Sequence, residues 1–124
     1  MRVNALDHVN ISTVDIDSSA HFYAQLLGLD VRNGPAPLPP EQVRWLYDAN
    51  GHPIIHLVKR DCAPGSTGPL HHVAFNCSGK DAMLARLHEL GIEFSVHEIS
   101  ALKLTQIFTT DPHGVLLELN FSGE

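Results

Sequence analysis

LDHVNIS at Leu6–Ser12 returns as LHHVAFN at Leu70–Asn76, 64 residues later. Two more pairs follow in the same order. LLGLDV (Leu26–Val31) matches ELGIEF (Glu89–Phe94) at an offset of 63, and HPIIHL (His52–Leu57) matches GVLLEL (Gly114–Leu119) at an offset of 62. Ordered matches with a small, steady drift indicate a duplicated unit of about sixty residues. Between the copies, DCAPGSTGP (61–69) has the Pro, Gly and Ser content of a linker. The organisation predicted is one domain over residues 1–124, with a first module at 1–60, the linker at 61–69 and a second module at 70–124.

Both copies predict the same run of elements. In the first, residues 5–12 alternate as a strand, and Asp15 or Asp17 can cap a helix through SSAHFYAQLL that Gly28 ends. Short strands are expected near 29–33, 43–49 and 53–60, with Asn50-Gly51 as a hairpin turn between the last two. The second copy predicts a strand at 70–77 and a helix at 80–90 behind Ser78, with Gly91 at its end. Strands near 93–98, 103–110 and 115–121 complete it, and Asp111-Pro112-His113-Gly114 forms the last turn. The proline-rich GPAPLPP (34–40) cannot join a ladder and reads as a rim loop.

Composition narrows the function. A chain of 124 residues with 44% hydrophobic and 18% charged residues is long enough to bury a core. A net charge of −6, with eight Lys and Arg and no basic run, disfavours nucleic acid and anionic membrane as partners. The N-terminus lacks a signal-peptide pattern, and no apolar run reaches bilayer length. Cys62 and Cys77 form no disulfide framework, so reduced thiols and a cytoplasmic location are expected. The nine histidines are more telling, because several lie inside apolar strand-like runs.

Strand parity sorts these residues by face. Val9 and Ile11 oppose His8, Asn10 and Ser12; Val73, Phe75 and Cys77 oppose His72, Ala74 and Asn76; Val115, Leu117, Leu119 and Phe121 oppose Leu116, Glu118 and Asn120. Ile54, His56 and Val58 share a side in the strand at 53–60. Each module therefore has an apolar face for its own helix and an opposite face with imidazole or carboxylate at its centre. A carboxylate in an apolar strand costs several kcal/mol unless it is paired, hydrogen-bonded or metal-bound. Such residues at equivalent repeat positions point to one shared site.

LDHVNISTVDIDSSAHFYAQLLGL resembles the opening module of the vicinal oxygen chelate family, with its D-H start and F-Y before L-G. LHHVAF and DPHGVLLEL resemble the start and finish of that family's second module, so the likeness spans nearly the whole chain. It implies an α+β fold of two tandem βαβββ modules, forming a curved, cup-shaped mixed sheet with helices on the outer face. It also implies a divalent metal held at His8, His56, His72 and Glu118, with His8, His72 and Glu118 as the central set. Two imidazoles and a carboxylate suit Fe(II) with open positions, and the same donors hold Ni(II), Co(II), Mn(II) or Zn(II) as a Lewis acid. Asn10, Arg44, Leu46 and Phe108 are the expected substrate-lining residues, with Glu118 and His56 as catalytic groups. Relatives commonly pair, so a homodimer is expected, its sites combining His8 and His56 of one chain with His72 and Glu118 of the other.

The branches of the family fit unevenly. Extradiol dioxygenases resemble the stretch before Glu118 but carry Tyr in place of Phe108 and an acid–base His upstream, where this chain has Ile99, Ser100 and Ala101, with His97 slightly out of register. Fosfomycin-resistance transferases share His, His and Glu, yet SVHEISALKL is unlike their Lys/Ser-rich loop. Glyoxalase I uses four ligand positions, the second normally Glu where this chain has His56, and its glutathione-binding arginine cluster is not apparent. Four donor side chains favour a redox-inert Lewis acid. The reading is a metal-dependent, glyoxalase-like lyase or isomerase acting on a small molecule with neighbouring oxygens. The alternatives are an Fe(II) extradiol-type dioxygenase and a bleomycin-resistance-like binding protein without catalysis.

Overall fold

The first alternating run forms strand β1 over Val9–Thr13, and helix α1 follows at Ile16–Leu27. Asp15 is the cap: its carboxylate accepts from the Ser18 N–H at 3.1 Å, satisfying a donor that the helix leaves free. Gly28 ends the helix at φ 65°, a left-handed turn that a Cβ disfavours. Strands β2 (Asp30–Asn33), β3 (Val43–Tyr47) and β4 (Pro53–Lys59) complete the module. The second copy gives β5 (Val73–Cys77), α2 (Lys80–Glu89), β6 (Ser95–Ile99), β7 (Leu104–Thr110) and β8 (Leu116–Ser122). A short 3-10 turn at Ser100–Leu102, unforeseen in the sequence, joins β6 to β7. In the computed structural model residues 1–124 are described, and they divide into two units, Met1–Ala63 and Pro64–Glu124. The boundary falls inside the stretch 61–69.

Each unit is a βαβββ module with a four-stranded mixed sheet, so the fold is α+β. The orders are β1-β4-β3-β2 and β5-β8-β7-β6; β1 runs parallel to β4 and β5 parallel to β8, and all other neighbours are antiparallel. The core of the first unit is Ile11, Ile16, Ala20, Tyr23, Leu26, Leu29, Leu46, Ile55 and Leu57. That of the second is Leu87, Ile107, Leu117, Leu119 and Phe121, with Leu87 the buried residue of α2. No helix is long and apolar enough to cross a membrane.

The duplication extends to hydrogen bonds. Asp48 Oδ1 accepts from the N–H groups of Asn50 and His52, each at 2.9 Å, and closes the β3–β4 turn. Asp111 Oδ1 accepts from those of His113 and Val115, each at 2.9 Å, and closes the β7–β8 turn. Gly114 of that turn has φ 92°, and a Cβ there would lie 2.7 Å from the Gly65 nitrogen. The tail of the linker packs against this point, and its Gly65 N–H donates to the His113 carbonyl at 2.9 Å.

Some sequence expectations need correction. The ladder of β1 starts at Val9 rather than residue 5, because the Asp7 carbonyl is bound by the His52 ring at 2.8 Å and Pro53, at the head of β4, has no N–H. Strand β5 likewise starts at Val73, so His8 and His72 each stand one residue before a strand. Ser78 does not cap α2. Its first free N–H groups, on Gly79 and Lys80, donate to the Glu124 carboxylate at 2.9 and 3.1 Å.

The face assigned to β3 is reversed. Trp45 pairs with His56, and Leu46 with Ile55, so Val43, Trp45 and Tyr47 lie on the side away from α1. Leu46 is 0% exposed in the core, and Arg44 reaches Asp17 of α1 at 2.8 Å while also donating to the Pro40 carbonyl. Neither lines an open face. Both readings of VRWLY leave apolar residues on one side, and only the register against β4 decides between them.

Candidate metal centre

His8 enters the first unit's open face from the residue just before β1. Its Nδ1 lies 2.6 Å from Asp7 Oδ2, and this bond holds the Asp7 carboxyl below the usual carboxylate range. An ionised carboxylate only accepts, so the ring proton sits on Nδ1 and Nε2 is left with its lone pair free. The His8 ring stacks on His56, with centroids 3.7 Å apart and planes within 20°. Trp45 covers the other side of His56 at 4.4 Å, with an interplanar angle of 2°. Asn10 is the register partner of His56 on β1, as parity predicts.

His56 is the middle ring of this three-ring stack. Its Nε2 is buried and has no hydrogen-bond partner. Burial lowers its pKa, His8 lowers it further, and Asp7 partly opposes both. A buried orphan nitrogen costs free energy unless something takes its lone pair, and a neutral imidazole is the form that ligates metal.

These effects set an expected pH dependence. The folded chain binds a proton at His56 less readily than the unfolded chain does, whose value is near 6.5. Stability is therefore whole above that value, is lost as pH falls through it, and levels off below the depressed folded value. Metal-free wild type should lose melting temperature between about pH 7.5 and about pH 5 faster than His56→Gln does. Parallel curves for the two proteins would contradict this.

In the second unit Glu118, 7% exposed, sits at the centre of β8. Its Oε2 lies 3.0 Å from His72 Nε2, and its Oε1 accepts from the Gln106 amide at 2.6 Å. Gln106 also donates to Asn120 Oδ1 at 3.2 Å. His72 Nδ1 lies 2.9 Å from His71 Nδ1. Because the carboxylate accepts, His72 carries its proton on Nε2 and takes one from His71 at Nδ1. Phe108 is the register partner of Glu118, and its ring meets those of His72 and His97 edge to face at 6.3 and 5.4 Å. His97 pairs with Gln106, so it belongs to Glu118's face.

The family model described as Glyoxalase/Bleomycin resistance protein/Dioxygenase superfamily matches residues 5–119. The chain belongs to this superfamily. Glyoxylase I 4 of Arabidopsis thaliana is 29% identical to this superfamily member over 131 residues, covering 96% of this chain and 71% of that protein. The glyoxalase/dioxygenase of Nostoc punctiforme has the same fold, with a TM-score of 0.81 at 20% identity over 98% of this chain and 92% of that one. A variant of the fosfomycin resistance protein FosX of Listeria monocytogenes, complexed with Mn(II) and 1S,2S-dihydroxypropylphosphonic acid, has a TM-score of 0.77 at 17% identity, covering 98% and 94%.

A divalent ion imposes a spacing on the atoms that hold it. Two donor atoms at about 2.1 Å from one ion, at right angles, lie roughly 3.0 Å apart. The 3.0 Å between His72 Nε2 and Glu118 Oε2, a hydrogen bond here, matches that spacing, so an ion would take the place of the proton the two atoms share. In the first unit His8 Nε2 and the orphan His56 Nε2 would be the donors. Each unit thus brings together two of the four expected ligands, and neither alone groups three or more His, Cys, Asp or Glu side chains to hold a metal. Sequence reading missed Asp7, Trp45 and Gln106. Gln106 was recoverable, since it shares its strand parity with Phe108, and Asp7 precedes His8 directly.

Proposed function

We propose that this chain is a metal-dependent lyase or isomerase of the glyoxalase kind, acting on a small molecule that offers two neighbouring oxygens. The observation that carries the reading is the pairing of four donor side chains at equivalent repeat positions, His8 stacked on His56 with ring centroids 3.7 Å apart and His72 Nε2 at 3.0 Å from Glu118 Oε2. The likeness to glyoxylase I 4 supports lyase or isomerase chemistry, and the Mn(II) in the FosX complex supports a divalent ion. When bound, Ni(II), Zn(II), Co(II), Mn(II) or Fe(II) supplies Lewis acidity toward the substrate oxygens.

The chain's own residues do the rest. Asp7 fixes the His8 tautomer, and Trp45 holds the His56 plane. Gln106 holds Glu118 Oε1, so Oε2, which faces His72, would be the oxygen that ligates or, once released, takes up and returns the substrate proton. His56 is the second proton carrier, while Asn10 and Phe108 line the substrate. The two halves act together in a homodimer that places the first unit of one chain against the second unit of the other. The exposed Leu6 and Leu70, equivalent positions beside the two histidines, give that contact apolar surface. Free thiols at Cys62 and Cys77 accord with a cytoplasmic location.

A second reading, an extradiol-type dioxygenase, gains from His97, which stands on Glu118's face beside Phe108 and is suited to acid–base work on a diol. Metal analysis after chelator-free purification should find one divalent ion per site, and light scattering should give twice the 13.6 kDa chain mass. Turnover of a substrate panel without oxygen uptake supports the lyase. Oxygen uptake with diols replaces it by the dioxygenase. Ligand binding without metal or turnover leaves a bleomycin-resistance-like binder. A monomer would sink the shared site.

A further inference from the structure

Arg44, the cation that parity aimed at the substrate, is spent on Asp17. Another arginine occupies the open face. Arg60 follows β4 at the parity of His56 and Val58, and its Nη1 donates to Asn10 Oδ1 at 2.8 Å and to Ser12 Oγ at 3.2 Å. Asn10 and Ser12 are the β1 partners of His56 and Val58, so the guanidinium folds back along the strand toward His56. Arg32, Arg44 and Arg86 each pair with a carboxylate, at 2.8, 2.8 and 3.8 Å. Arg60 rests on two neutral oxygens and keeps its full charge, in a chain whose net charge is −6.

We infer that Arg60 anchors an oxyanion of the substrate, a carboxylate or phosphonate next to the chelating oxygens. Neutral acceptors position the guanidinium without neutralising it, and its planar fork matches two oxygens of such a group. Asn10 thereby becomes a positioning residue for the anchor as well as a lining residue. The inference rests on the metal-site reading for the chelating oxygens, but the anion contact itself needs only Arg60.

Calorimetric titration with oxalate, phosphonoformate and the neutral chelator acetohydroxamic acid tests it, on wild type, Arg60→Met and Arg60→Lys, each with and without Ni(II). Arg60→Met should weaken the anion that wild type binds best by roughly tenfold or more and leave acetohydroxamic acid and Ni(II) affinity unchanged, with Arg60→Lys in between. The better-bound anion identifies the oxyanion. Anion affinities within twofold in Arg60→Met, or an equal loss for acetohydroxamic acid, overturn the inference. If wild type fails to bind Ni(II), the metal reading falls, and the anchor stands only if either anion still binds the metal-free protein through Arg60. Absence of saturable anion binding to wild type in both forms overturns it as well.

Discussion

If Glu118 ligates a divalent ion as proposed, Glu118→Gln should lower metal affinity by at least about 100-fold and abolish turnover, while the fold survives. The substitution keeps the shape and removes the charge. The new amide can still accept from Gln106 through its oxygen, where Glu118 Oε1 now lies 2.6 Å from that donor. Its NH2 then faces His72 Nε2, 3.0 Å away, and a shift of the His72 proton to Nδ1 restores a hydrogen bond there. His71, adjacent at 2.9 Å, can answer that shift by accepting at its own Nδ1. The buried position therefore stays satisfied, and a loss of metal reports on ligation rather than unfolding. Emission spectroscopy on dialysed protein measures occupancy, and circular dichroism checks the fold. His56→Ala should weaken metal binding as well; affinity within twofold of wild type would move His56 out of the coordination shell. Equal metal content in Glu118→Gln and wild type would remove Glu118 from it too.

Leu46→Ala should destabilise the chain by about 3 kcal/mol, within the range for truncating a buried leucine. The residue is 0% exposed and pairs in register with Ile55, also 0% exposed. For a chain whose total stability is of order 5–15 kcal/mol, that is a large share. Metal affinity of the folded protein should be unchanged, because the side chain points away from His56. Trp45→Ala should do the reverse, loosening the ring stacked 4.4 Å over His56 and weakening metal binding more than it lowers the denaturation midpoint. Urea unfolding with parallel metal titration separates the two. A Leu46→Ala protein of wild-type stability would contradict the assignment of Leu46 to the core.

Much of this was legible in the chain. The repeat located both modules, because duplicated hydrophobic patterns keep their spacing even when individual residues change. Alternation placed His56, Phe108 and Glu118 on the faces away from the helices, since the strands that carry them have one plainly apolar side. Asp15 and Gly28 marked the ends of α1 through local hydrogen bonding and local backbone geometry, which need no distant partner.

What remained hidden depended on contacts between residues far apart in sequence. VRWLY has apolar residues on both sides, so its facing was undetermined until β3 took its register against β4 and placed Trp45 over His56. The cap of α2 lies on Glu124, 44 residues from Lys80, where no short-range pattern could show it. The pairing of Arg44 with Asp17 and the fold-back of Arg60 onto Asn10 were equally invisible, because a long, flexible side chain goes wherever tertiary structure puts an acceptor. The sequence by itself determined the two modules, through duplication and local pattern, and the family, through the likeness that those modules carry. The tertiary structure decided which oxygens hold Arg44 and Arg60, which ring covers His56 and which amide holds Glu118, because register and packing bring those partners within hydrogen-bonding and stacking distance.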